Sequence, residues 1–300
     1  MPLSRMRCAM LARIIGALMA ATLLASCSAL KLAYNNLPEV GYWWLDGYVD
    51  FDDAQTPRVR EELQQLLAWH RRNELPKVAA LLQQAQALAP GEITPAQACE
   101  LLDAFRARLL AVAERGAPAG AELARSLSEA QLRQIERKYQ KTNATYAEDW
   151  LARSPAQQRE KRYDQFLDRS EDFYGRLNAG QRELLRQQVE RSAFDPLAVD
   201  ADRKRRQQDV LALLRRVQAQ QLPGRETQAL IEAYVRQVSE PAPGPAAARQ
   251  AAMMQEACDT MAVLHNRTTA AQREKAARRL QAYANDLRQL ADVQRGADIP

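Results

Sequence analysis

Histidine is nearly absent from this chain: His70 and His265 are its only 2 in 300 residues, far apart and neither beside a cysteine. That leaves little material for imidazole acid–base catalysis. The other familiar catalytic frames are missing too, since there is no Gly-rich phosphate loop, no nucleophile elbow and no paired-cysteine motif. His70 has Glu74 four residues on, close enough to share a helix face, but a metal site needs further ligands that the sequence does not supply. Asp50, Asp52 and Asp53 cluster as in a calcium loop, yet lack its glycine at the sixth position and its closing glutamate. We therefore expect no enzyme, no metal and no cofactor, with His70 a hydrogen-bonded structural residue. Also absent is any run of alternating β-branched residues, which excludes a sheet protein. No apolar run approaches the roughly 20 residues that cross a bilayer as a helix.

The longest apolar run, Ile14 to Ala25, is short and placed with purpose. Arg5, Arg7 and Arg13 precede it and Leu24-Ala25-Ser26-Cys27 follows. A positive flank, a greasy centre and small residues at the cut make an export signal. The last four residues resemble the lipobox of bacterial lipoproteins, which implies cleavage after Ser26 and acylation of Cys27. Two or three acyl chains hold a protein durably, where one holds it only reversibly. Ser at position 28, in place of the Asp that retains Gram-negative lipoproteins elsewhere, implies the outer membrane, periplasmic face. Loss of residues 1–26 takes three arginines and no acid, so Lys and Arg fall from 42 to 39 against 37 Asp and Glu, and the net charge from +5 to +2. The remaining charges are interspersed, with no basic stripe for nucleic acid. Of four cysteines, Cys8 leaves with the signal and Cys27 is acylated. Cys99 and Cys258 remain; an exported pair can form a disulfide, and each also sits in an apolar helical stretch where a free thiol packs as a small hydrophobe.

What is abundant is helix-forming: Ala, Leu, Gln, Arg and Glu throughout. Five capping boxes mark helix starts, at Thr94–Gln97, Ser128–Gln131, Ser154–Gln157, Asn178–Gln181 and Thr269–Gln272. Behind them apolar residues recur at helical spacing: Leu102, Phe105, Leu109, Val112; Leu132, Ile135, Tyr139, Tyr146, Trp150; Tyr163, Phe166, Phe173, Leu177; and Leu280, Tyr283, Leu287, Leu290. Further helices are expected at 57–72 (Thr56 as cap, Pro57 in the first turn), 75–89, 200–221 and 225–239. Glu240 to Pro245, rich in proline, cannot continue a helix. The expected organisation is all-α, an elongated multi-helix bundle of amphipathic helices: signal peptide 1–26, lipidated cysteine and tether 27–37, helical domain 38–240, Pro-rich loop 241–245, and a C-terminal helical hairpin 246–300 packed on the same domain, its end frayed from about Gly296.

The stretch Tyr34 to Pro76 holds the most distinctive strings. Tyr34-Asn35-Asn36-Leu37-Pro38, Trp44-Leu45-Asp46-Gly47-Tyr48-Val49-Asp50-Phe51 and Trp69-His70-Arg71-Arg72-Asn73-Glu74-Leu75-Pro76 together resemble an uncharacterised family of Gram-negative lipoproteins defined as a domain of unknown function. Gly175 to Gln181 extends the resemblance, which implies an all-helical fold and no established activity. The Ser/Thr-x-x-Gln boxes are more weakly similar to the Leu-Thr-x-x-Gln repeats of small periplasmic chaperones and envelope-stress regulators. The expected function is a membrane-anchored, non-enzymatic interaction or structural protein with an envelope protein partner; the alternative is a periplasmic chaperone or stress factor. Candidate interaction residues are Trp43, Trp44, Asp46, Tyr48, Asp50, Phe51, Trp69 and His70. Read as a helix, 38–51 places Val40, Trp44, Tyr48 and Phe51 on one face and Asp46, Asp50 and Asp53 on another. The aromatic face is expected to dock on the protein's own helices near 57–89, with a partner or lipid as the alternatives.

Overall fold

A computed structural model describes residues 31–295, with side chains through Asp292. The expected signal segment 1–26, Cys27 and the C-terminal residues from Gly296, expected to fray, lie outside the described residues. After helical residues 31–35, eleven α-helices follow in order: α1 (Leu37–Val49), α2 (Gln55–Asn73), α3 (Leu75–Leu88), α4 (Pro95–Ser126), α5 (Glu129–Tyr146), α6 (Pro155–Tyr174), α7 (Ala179–Glu190), α8 (Pro196–Gln220), α9 (Gly224–Ser239), α10 (Pro245–Asn266) and α11 (Ala270–Arg295). A π-helical turn, Ala147–Leu151, continues α5, and no strand occurs among the described residues. The fold is all-α.

The helix starts follow local chemistry. All five boxes form, with the cap oxygen accepting from the Gln backbone N–H and the Gln side chain accepting from the cap's own N–H. Two of these glutamines also join distant elements. Gln181 and Gln272 bond each other at 2.7 Å, bringing the starts of α7 and α11 together, and buried Gln131 bonds Gln55 of α2 at 2.6 Å. Two expected starts are corrected. Thr56 does not cap α2, which starts at Gln55 with Ala54 at the cap position; just ahead of it Asp52 Oδ1 accepts from Ala54 and Gln55 N–H at 2.9 and 2.8 Å. Thr56 therefore lies inside the first turn, where its hydroxyl bonds Tyr42 instead. Likewise α8 starts at Pro196, capped by Asp195, a full turn before position 200. One glycine is required by conformation: Gly175, at φ 82, ends α6 where a Cβ would lie 2.8 Å from Lys275 Nζ.

The core is divided among several small clusters. Around fully buried Leu185, helices α6, α7, α10 and α11 contribute Tyr163, Tyr174, Val189, Leu264 and Ala276. Long α4 is central, bordered by α2, α3, α8, α9 and α10. The two C-terminal helices take different partners, α10 lying along α4 and α11 along α3. Cys99 of α4 and Cys258 of α10 are bonded as a disulfide, with Cα atoms 5.2 Å apart, inside a cluster of Ile93, Ala98 and Ala262.

Candidate functional site

The distinctive N-terminal strings meet in space. Tyr34 is buried among Leu75, Leu290 and Ala291, and its hydroxyl lies 2.7 Å from His70 Nδ1. Beside it Arg71 donates to Asn35 Oδ1 at 2.6 Å and stacks over the Tyr34 ring. Burial pushes the Tyr34 phenol up to about 12, so it stays a neutral donor. Trp69 is half-buried. One turn on, Glu74 is fully buried and bonded to Lys77 at 2.7 Å and Arg108 at 3.3 Å. The first and third strings thus pin the chain just before α1 to the junction of α2 and α3.

The second string forms α1 and the turn after it. Pro38 and Val49 are buried, Gly41 faces Leu63 of α2, and Tyr42 bonds Thr56 at 3.0 Å beneath the Arg60 guanidinium. Asp50, at φ 61, ends the helix. Asp46 Oδ1 accepts the Phe51 N–H at 2.9 Å, and the Asp50 carbonyl accepts from Gln131 Nε2 at 3.0 Å. Tyr48 and Phe51 consequently pack with Val49 against Leu132, Ile135 and Tyr139 of α5.

The expected docking of the aromatic face is therefore corrected. Of that face only Tyr48 and Phe51 turn inward, and onto α5, whereas α1 meets α2 through Gly41 and Tyr42. Val40 and Trp44 are left outside with Trp43, and the two tryptophans are 62% and 71% exposed for Trp44 and Trp43 respectively. The helix register is set from both ends, by buried Tyr34 and by the Asp50 turn. The aspartates read as an acidic face are partly consumed: Asp46 accepts the Phe51 N–H, while Asp50 and Asp53 are exposed.

Both histidines are held by tyrosines. His265 Nε2 lies 2.9 Å from the Gly91 carbonyl, so it carries the proton and donates. Its Nδ1 then accepts from the Tyr174 hydroxyl at 3.0 Å. Burial holds His265 below its ordinary value of 6.5, and Arg273 pushes the same way against the Gly91 carbonyl; burial lowers His70 also. The folded chain keeps both rings neutral where the unfolded chain takes up protons, so stability is full above about pH 6.5 and falls below it. The urea midpoint is expected to drop between pH 7.5 and 5.5, and to drop less in His265→Asn. Equal drops in both proteins would assign the effect elsewhere.

A cleft that sequence reading missed opens between α4, α8, α9 and α10, with a volume of about 1100 Å³. Leu110, Val235, Met253 and Met254 are among its apolar lining, with arginines and aspartates such as Arg106, Arg205 and Asp202 around them. Leu109, expected in a core stripe, lines it too and is 71% exposed. Among the described residues no group of three or more His, Cys, Asp or Glu could hold a metal ion. No described helix is long and apolar enough to cross a membrane.

No curated protein and no solved structure matches this chain. A family profile does match, over residues 47–224, more than half of the chain. The match opens within the second distinctive string and takes in the third, the buried Glu74 and helices α2 to α8. The chain belongs to the family of unknown function DUF6279.

Proposed function

We propose that this chain is an exported lipoprotein of a Gram-negative envelope, acylated at Cys27 and held at the periplasmic face of the outer membrane, where it acts by binding and not by chemistry. The observation that carries the reading is the buried Cys99–Cys258 bond, because such bonds persist in oxidising compartments and are rare where thiols are kept reduced. It is independent of the lipobox and points to the same side of the membrane. The test is metabolic labelling with a fatty acid: label enters the wild type and is lost in Cys27→Ser. Equal labelling of the two proteins ends the lipoprotein reading.

The second reading, a chaperone-like holder of unfolded clients, is favoured by the cleft, which offers a concave apolar floor open to solvent. The capping boxes do not separate the two readings, since each is used as a helix cap. A photo-crosslinking residue in place of exposed Leu109 distinguishes them in intact cells: a single adduct indicates a dedicated partner, a broad ladder indicates clients.

A further inference from the structure

Ten large hydrophobic residues are conspicuously exposed among the described residues, and five of them, Leu32, Leu37, Val40, Trp43 and Trp44, fall within one 13-residue stretch. Leu37, Val40 and Trp44 recur at helical spacing on the side of α1 opposite buried Pro38 and Val49. The platform under them is rigid: Trp44 leans on Tyr48 at 4.9 Å and Tyr48 on Tyr139 at 6.0 Å. We propose that this face of α1 lies on the lipid surface to which the chain is tethered, with Trp43 and Trp44 seated at headgroup depth. The inference rests on the acylation of Cys27 proposed above.

Chain length argues for it. Lys31 follows Cys27 by four residues, which span about 14 Å at most. From Lys31 the chain is helical up to Val49 except at Asn36, rising about 1.5 Å per residue. The stripe's near end therefore cannot leave the neighbourhood of the bilayer, and tethering raises the local concentration of lipid far above that of any free partner. The chemistry fits as well, because indole pairs an apolar body with one N–H donor and favours the membrane–water interface. Acids do not stand in the way: Glu39 pairs with Arg60 at 3.3 Å, Asp46 is bonded to Phe51 N–H, and Asp50, Asp52 and Asp53 lie beyond the end of α1. Lys138 sits at the stripe's edge beside Gly47. A second copy is the poorer occupant. A strip about 18 Å long and one helix wide, about 10 Å, offers on the order of 200 Å², against roughly 800 Å² per side in a stable interface.

The test uses the full chain, exported and lipidated in a Gram-negative host, then reconstituted into vesicles of phosphatidylethanolamine and phosphatidylglycerol. Part of the lipid carries bromine near the headgroup end of its acyl chains. Trp43 and Trp44 are two of the 4 tryptophans, so about half of the emission is expected to be quenched in the wild type and almost none in Trp43→Phe/Trp44→Phe. Both substituted positions are exposed, so helix content stays unchanged by circular dichroism. Labelled, vesicle-bound protein whose emission is equally untouched in wild type and variant overturns this inference and leaves the anchor standing. Absence of fatty-acid label overturns the anchor reading and this inference with it. Protection from aqueous iodide that rises with protein density, without quenching by brominated lipid, gives the face to a second copy and overturns the lipid assignment.

Discussion

Replacing Cys99 and Cys258 together by alanine lowers the free energy of unfolding by about 3 to 5 kcal/mol, and reduction of the wild type with a thiol in denaturant does the same. The bond joins residues 159 apart in sequence, and the cost of closing so long a loop is taken from the unfolded chain. Alanine is the appropriate replacement because Cys258 is fully buried against Ala98 and Ala262, where a serine hydroxyl would add the penalty of an unsatisfied donor. Urea unfolding followed by circular dichroism reads the effect, with and without reductant. A midpoint indifferent to both treatments would mean that the two thiols never join.

A comparable loss comes from the cations around Glu74. Its carboxylate is fully buried and served by Lys77 and Arg108, both of which reach water. Lys77→Ala with Arg108→Ala leaves an uncompensated charge inside the protein and costs about 3 to 5 kcal/mol. Glu74→Leu removes the charge and leaves two cations that can turn outward, so it costs about 1 kcal/mol or nothing. The order of the two variants is the test. If Glu74→Leu is the more damaging, the carboxylate serves the junction of α2 and α3 by more than charge balance.

Which features could be read from sequence depends on the distance over which they are decided. The capping boxes were legible because a cap and its glutamine are three residues apart and need nothing else; all five form. Asp52 was passed over for Thr56 because a hydroxyl followed by proline is the commoner sign, and Asp195 for want of a box. The outward turn of Val40 and Trp44 was not legible, because it depends on Tyr34 reaching Leu290 and on Asp50 meeting Gln131. The disulfide is open to two readings in the sequence for the same reason: no local pattern states that α10 lies along α4. The cleft draws on residues near 102–113, 193–209 and 234–257. Its one local trace is Leu109, whose spacing marks it as core while its neighbours leave it uncovered.

The two ends of the described chain are built into one another. Tyr34 needs Leu290 and Ala291 of the last helix, and α3 needs α11 along its length. A chain is made from its N-terminus, so α11 comes after every other described helix, and the segment around Tyr34 waits for it before it has a surface to fold on. Long-range closures of this kind are slow and leave apolar surface open meanwhile. A protein truncated before Leu280 would keep most of its helices, yet leave Tyr34 and Leu75 uncovered. The arrival of α11 is thereby registered at Tyr34, at the opposite end of the described chain.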